Sequence, residues 1–430
     1  MKFQLLPPRA QLVQIMQRIY NNGMTTLSGG NLSVMDENGD IWLTPAAIDK
    51  GKLTQADIMC VKADGTVLGP HRPSSELPFH RKIYEQRPDV KAVLHAHSPA
   101  LVSFSIVREV PNTRIIPQAR RVCGPVGYAP YALPGSEELG DVIAATFAEG
   151  FDAVLLENHG VATAGTDLLA AFQRLETLDF CARTLLQARR LGAIQSLTDE
   201  QLASFEHTQH LLPEFVPTLH STTERELREQ IVDIVHRACD RYLMISTEGV
   251  VSARVDEHSF LITPTHEDRR SLQVEDLVLV SNGMREASKT PSRAVALHQA
   301  IYEQNPELSC IVTAQSPAAT AYAIANHHLD TRTIPESYIM LRDMPTLPYG
   351  IQFTSPETIA SKVSLNQPVV LLQNDCILAV GKSVLQAFDR LEVAEFSAKA
   401  LLDSLHLGPL QSMDDSSIHA LKEAFSLGEP

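Results

Sequence analysis

The sequence predicts an α/β protein made of two tandem copies of one α/β/α domain, each copy built on a central, mostly antiparallel sheet. Three observations point there. Long segments of the chain recur at a nearly constant offset. Short apolar strands alternate irregularly with amphipathic helices, which suits layered α/β architecture. Many strands are joined through Gly- or Asn-containing turns, which favours hairpins over a doubly wound parallel sheet.

The repeat sets the domain plan. "IYEQRPDVKAVLHAHSPA" begins at Ile83 and "IYEQNPELSCIVTAQSPA" at Ile301, an offset of 218. "LVQIMQR" at Leu12 matches "IVDIVHR" at Ile231, and "LTP" at Leu43 matches "ITP" at Ile262, both at 219. "VLLENHGVATAG" at Val154 meets "VLLQNDCILAVG" at Val370, and "AFQRLE" at Ala171 meets "AFDRLE" at Ala387, both at 216. Order is kept and the offset drifts by three residues, so one domain has been duplicated. The expected first domain is residues 1–206, a linker follows at 207–221, and the second domain is 222–430. The linker holds two prolines and a polar tail. Its His207 and His210 read as solvated side chains rather than a metal pair.

The elements follow in order. "IWLTP" and "DIMCVKADGTVL" read as strands with a polar turn. A helix is expected to begin at "PSSELPFH", because Pro78 fits a first turn and Pro88 stops it. "KAVLHAH" is a short strand; "DAVLLENHGVATAG" and, in the second copy, "PVVLLQNDCILAVG" are hairpins. In the helix after the first hairpin, Phe172, Leu175, Leu178, Ala182, Leu185 and Leu186 are assigned to one face. Trp42, the single tryptophan, is assigned to the core.

Composition narrows the function classes. The 430 residues are 44% hydrophobic and 20% charged, as in globular proteins. Thirty-six basic against 51 acidic side chains give a net charge of -15, which disfavours nucleic acid and anionic membranes as partners. A small anionic substrate stays open, since local donors outweigh a distant mean field. Six scattered cysteines form no C-x-x-C pair, so reduced thiols in a cytoplasm are expected. Neither a signal peptide nor a membrane span is expected.

The chemistry concentrates in the first copy. His95 and His97 are two apart in a strand, so their side chains share a face and can reach one metal ion. The second copy is an internal control. It carries Thr313 and Gln315 at those positions, and Asp375 where the first has His159. Joint loss of three histidines, with the apolar pattern kept, fits a shared ligand set. His80 behaves oppositely: its counterpart His298 is retained, so it reads as structural. Glu76 becomes Ala294, and Ser75 becomes Arg293. Ser74 and Ser75 lie at the expected helix start, where free N–H groups favour an anion or a serine caps the helix.

The ordered motifs "SGGNLS" at Ser28, "LTP" at Leu43, "PSSE" at Pro73, "HAHSP" at His95, "APY" with "GSEEL" from Ala129, and "NHG" at Asn158 resemble the class II aldolase/adducin family over residues 8–200. Residues 222–405 resemble a degenerate second copy lacking the ligands and the "SGGN" loop. The resemblance implies a divalent metal held by His95, His97 and His159: zinc first, with Mn2+, Fe2+ or Ni2+ as alternatives. It implies Glu76 as the acid/base, and Gly30, Asn31, Ser74 and Ser75 as donors to a substrate phosphate. It implies a metal-dependent carbon–carbon lyase acting on a small hydroxy-carbonyl compound through a metal-stabilised enediolate. Decarboxylase, epimerase and oxygenase chemistry on the same site, or a non-catalytic scaffold like adducin, are the alternatives. Family members form four-fold rings, so a homo-oligomer is expected: a dimer forming a pseudo-four-fold ring, or higher. Two departures stand out. Ala46 and Ala47 replace the hydroxyl and glycine that usually follow "TP". The loop after His97 has Arg114, Arg120 and Arg121 and no tyrosine, and Arg120 and Arg121 suit a substrate carboxylate.

Overall fold

The protein is described by a computed structural model covering residues 2–207 and 212–428. It forms two compact units: Met1–Arg114 with Gln118–Arg183, and Ile115–Pro117 with Thr184–Pro430.

The first unit holds strands β1 (Asn31–Met35), β2 (Ile41–Leu43), β3 (Met59–Val61), β4 (Val67–Leu68), β5 (Ala92–Ala96), β6 (Gly127–Ala129), β7 (Ala153–Leu156) and β8 (Gly160–Gly165). Their order across the sheet is β4-β3-β2-β1-β5-β8-β7-β6. Every neighbouring pair is antiparallel except β6 and β7. The helices are α1 (Pro8–Asn21), α2 (Leu77–Gln86), α3 (Pro99–Ile106), α4 (Pro117–Cys123), α5 (Glu137–Ala148) and α6 (Leu168–Ala188).

The local reasons are visible in the residues. Pro8 opens α1, where its fixed φ suits a first turn. Leu12, Ile15, Met16 and Ile19 recur at three- and four-residue spacing and are buried. Pro78 sits in the first turn of α2, which stops at Gln86, short of Pro88. Phe79 and Ile83 of α2 pack with Ile143 and Phe147 of α5 over Val93, Val154 and Ala162 of the sheet. Truncating Phe79 to alanine there would cost about 3–5 kcal/mol. This packing fixes the start of α2 above the sheet, and with it the position of Glu76.

The second unit repeats the plan. Its strands are β9 (Glu214–Phe215), β10 (Val250–Arg254), β11 (Ser259–Ile262), β12 (Val278–Ser281), β13 (Met284–Glu286), β14 (Cys310–Ala314), β15 (Thr346–Leu347), β16 (Val369–Leu372) and β17 (Ile377–Gly381). They run β15-β16-β17-β14-β10-β11-β12-β13-β9. Aside from β9, this is the first sheet's order element for element. Registers repeat as well: Asn31 lies opposite His95, and Val250 opposite Thr313. Both sheets are mostly antiparallel, as expected.

Several expectations are refined. The units divide inside α6, between Arg183 and Thr184, earlier than the boundary at 206. The helix Asp199–His207 packs with the second unit: the Arg293 guanidinium lies 3.6 Å from the centroid of the Phe205 ring, and Tyr349 donates to the Gln201 carbonyl. The expected linker supplies β9, which pairs in parallel with β13. His210 lies outside the described residues, and with it the reading of His207 and His210 as a pair. Leu186 is exposed, because it is turned past the buried face that Leu185 closes. Trp42 is half-buried rather than core; its Nε1–H donates to Asp36 and Arg9 covers its ring. The six cysteines are buried free thiols. Among the described residues no helix is long and apolar enough to cross a membrane.

Candidate active site

The three histidines lie at the adjoining ends of two adjacent strands, β5 and β8. His95 lies in β5, His97 just beyond its end, and His159 in the turn between β7 and β8. Because β5 pairs with β8, with Ala96 opposite Val161, the turn is held beside the end of β5. Asn158 adopts a left-handed backbone, φ 54°, which asparagine tolerates better than most residues and which shapes the turn carrying His159. One ring nitrogen from each histidine lies within 4.8 Å of the others. The closest pair, His95 Nε2 and His97 Nε2, is 2.8 Å apart.

Two glycines are required by close approach. A Cβ on Gly160 would sit 2.5 Å from the Ala96 carbonyl oxygen and 2.9 Å from a carbon of the His97 ring. Gly30 has φ 69°, and a Cβ there would meet the His95 carbonyl at 2.8 Å. The "SGGN" and "NHG" motifs thus press backbone against the histidines from two sides.

The donor set fits a cation. His95 Nδ1–H donates to the Val161 carbonyl at 3.0 Å, leaving the Nε2 lone pair aimed at the cluster. Burial pushes His95 down to about 3 and His159 down to about 4; burial also lowers His97. All three rings are therefore neutral near pH 7, as metal ligands must be. His159 Nδ1 is buried without a hydrogen-bond partner. Glu76, the residue preceding α2, completes the group: its Oε2 is 3.4 Å from His95 Nε2 and its Oε1 3.4 Å from His159 Nε2. Three neutral imidazoles beside one carboxylate can hold a divalent ion and keep a proton acceptor next to it.

The remaining expected site residues divide. Asn31 is buried, and its Nδ2–H donates to Glu76 Oε2 at 2.5 Å. Ser74 is buried, and its hydroxyl accepts from the Glu76 N–H. Ser75 is exposed. Arg120 and Arg121 are half-buried in the last turn of α4. His80 is buried, donates to the Asn31 side-chain oxygen and is bonded to Ser33. Thr25 went unremarked in the sequence. Its hydroxyl is buried without a partner, close to where side chains at positions 29 and 30 would point. A lone threonine in a loop gives no periodic signal to find it by.

The second unit keeps the frame without the ligands. Asp375, at the His159 position, accepts from Gln352 at 2.9 Å. The His95, His97 and His159 group is the metal-capable cluster of three found among the described residues.

The family model for the class II aldolase and adducin N-terminal domain matches residues 10–186 and again 229–402. The chain is 32% identical over 209 residues to a 3-oxo-tetronate 4-phosphate decarboxylase of Haemophilus influenzae, covering 47% of this chain and 97% of that protein. It is 31% identical over 200 residues to a 5-deoxy-D-ribulose 1-phosphate aldolase of Bacillus thuringiensis, covering 45% and 91%. It is 31% identical over 173 residues to an L-fuculose phosphate aldolase of Methanococcus maripaludis, covering 40% and 93%.

Proposed function

The chain belongs to the class II aldolase and adducin family, and on that premise we propose that its N-terminal half is a metal-dependent carbon–carbon lyase. The observation that supports this most is the convergence of three neutral histidine nitrogens on a carboxylate 3.4 Å from two of them. His95, His97 and His159 would hold the cation, zinc first by donor type. When bound, it would supply Lewis-acid charge that stabilises the oxygens of an enediolate. The rest is done by the chain. Glu76 moves a proton to or from the enediolate carbon. Asn31 holds that carboxylate through its amide. The backbone at Gly30 and the hydroxyls at Ser74 and Ser75 are proposed to receive a substrate phosphate, and Arg120 and Arg121 a carboxylate where the substrate has one. In this reading the first copy is the catalytic domain, and the second copy, within residues 222–430, is non-catalytic.

The names of the relatives favour one shared intermediate. Removing CO2 from 3-oxo-tetronate 4-phosphate leaves the enediolate of dihydroxyacetone phosphate. Aldol cleavage of L-fuculose 1-phosphate or 5-deoxy-D-ribulose 1-phosphate leaves the same enediolate together with an aldehyde. Aldol cleavage and decarboxylation therefore differ in the group that departs, and one site serves both. Decarboxylation is the second reading, favoured by the similarity to the decarboxylase and by the arginines beyond His97.

The test is turnover of these three compounds, with exchange of the hydroxymethyl protons of dihydroxyacetone phosphate in D2O as the shared half-reaction. Exchange that requires divalent metal and vanishes in Glu76→Gln is expected. Absence of exchange and of turnover with all three compounds would reject the lyase reading. The homo-oligomer belongs to the same proposal, and a monomer at micromolar concentration in light scattering would contradict it.

A further inference from the structure

We propose that His80 is a positioning residue for Glu76, acting through Asn31 at the inner end of a buried, one-directional hydrogen-bond chain. The inference rests on the lyase reading for its consequence, but its geometry stands apart from that reading.

The chain of bonds can be directed atom by atom. Asn31 Nδ2–H donates to Glu76 Oε2 at 2.5 Å, so the other end of the amide, Oδ1, is an acceptor. His80 Nε2 lies 2.5 Å from that oxygen and must be the donor. Burial pushes His80 down to about 3, so the ring is neutral and carries a single N–H. Its Nδ1 is then an acceptor, and the Ser33 hydroxyl, 2.7 Å away, donates to it. Ser33 in turn accepts from Tyr84 O–H at 2.7 Å. The order is Tyr84 to Ser33 to His80 to Asn31 to Glu76, with every donor pointing toward the carboxylate. A neutral histidine cannot reverse one link without breaking the next.

The placement follows from two periodicities. Asn31 and Ser33 are two apart on β1, on one face of the sheet. Glu76, at the N-cap of α2, and His80 and Tyr84 within it are spaced by four, on one side of the helix. One strand face meets one helix face, and the five side chains interleave between them.

The second unit retains this chain with its working end removed. Tyr302 bonds Ser252 at 2.8 Å, and Ser252 bonds His298 at 2.7 Å, repeating the first three members. Val250 stands at the Asn31 position and Ala294 at the Glu76 position. His298 Nε2 is left buried with no partner. A purely structural histidine would be expected to have both ring nitrogens satisfied in both copies. Instead, Nε2 has a partner in the unit that has Asn31 and Glu76, and none in the other.

The test compares His80→Asn, which places its amide near Nδ1 and loses the donor to Asn31, with His80→Gln, which places an N–H near Nε2. His298→Asn serves as the packing control in the second unit. With dihydroxyacetone phosphate proton exchange as readout, His80→Asn is expected to lower kcat about tenfold or more with KM and bound metal unchanged, while His80→Gln stays within about threefold of the native chain. His298→Asn is expected to leave kcat unchanged. Equal kcat in the native chain and both His80 variants, or an equal loss in His298→Asn, overturns the proposal. A readout independent of turnover is the long-range 1H–15N spectrum of 15N-histidine-labelled protein. His80 is expected to carry its proton on Nε2, and the signal is expected to shift in Asn31→Leu while that of His298 does not. A proton on Nδ1, or an unmoved signal, rejects the chain. A native protein that turns over nothing but shows the Nε2–H signal and its shift would reject the lyase reading and leave the bond chain intact.

Discussion

Gly160→Ala isolates the steric condition for the metal cluster. The added Cβ would lie 2.5 Å from the Ala96 carbonyl oxygen, 2.9 Å from the His97 ring and 3.4 Å from the His95 ring. The first of these contacts is about 0.9 Å inside ordinary van der Waals separation, and the partner is the backbone of the last paired residue of β5, which cannot swing aside as a side chain can. Strand β8 must shift, carrying the turn that holds His159, or β5 must shift, carrying His95. Overpacking of this kind costs about 1–3 kcal/mol. Displacing metal ligands by fractions of an ångström is expected to weaken affinity about 10–100-fold, the range seen when support for ligands is removed. The control is internal: Cys376 occupies the matching position in the second unit, where Thr313, Gln315 and Asp375 replace the three histidines, so Cys376→Ala is expected to leave metal affinity unchanged. Zinc titration by calorimetry with a competing chelator, together with urea unfolding, reads both effects. Native affinity and native stability in Gly160→Ala would refute the reasoning.

Three further outcomes are expected. Glu76→Gln preserves shape and the three histidines but removes the proton carrier, so kcat should fall about 10²–10⁴-fold with metal content retained; a fall under about threefold would remove Glu76 from that role. His80 and His298 are both pushed down to about 3 by burial, against about 6.5 when unfolded. Their neutral forms therefore favour the fold at neutral pH, and that contribution drains as pH drops from about 6.5 toward about 3, at up to about 1.4 kcal/mol per pH unit for each ring. Urea unfolding free energies measured at several pH values between 7.5 and 5 check this, and a flat profile would contradict it. Arg120→Ala with Arg121→Ala should raise KM for 3-oxo-tetronate 4-phosphate more than for L-fuculose 1-phosphate, if these arginines receive a carboxylate; equal effects would assign them to general ion pairing.

The sequence disclosed the fold through repetition. Offsets of 216 to 219 between matching motifs reappear as two sheets with one strand order and one register. The histidine cluster was legible because its three members vanish together in the second copy. The bond chain behind Glu76 was half-legible. The four-residue spacing of Glu76, His80 and Tyr84 and the two-residue spacing of Asn31 and Ser33 were both on display, but nothing in one dimension says that this helix face meets this strand face. Retention of His298 suggested a structural role for His80; the bond from its Nε2 to Asn31, absent at the orphaned His298 Nε2, adds what sequence could not show. Burial of Trp42 was overestimated because hydrophobicity ignores the indole N–H, which here takes Asp36 at a partly open site. Where the units divide was obscure for a related reason: Phe205 is a single aromatic in a polar helix, and its packing with Arg293 depends on residues nearly ninety positions away.

The most direct measurement is metal content per chain by mass spectrometry, on protein purified without added metal and then loaded with Zn2+. About one tightly held divalent ion per native chain is expected, and close to none in His95→Ala, with both proteins folded by circular dichroism. Two ions per chain, no ion in the native protein, or an unchanged ion in His95→Ala would contradict a single coordination site formed by His95, His97 and His159.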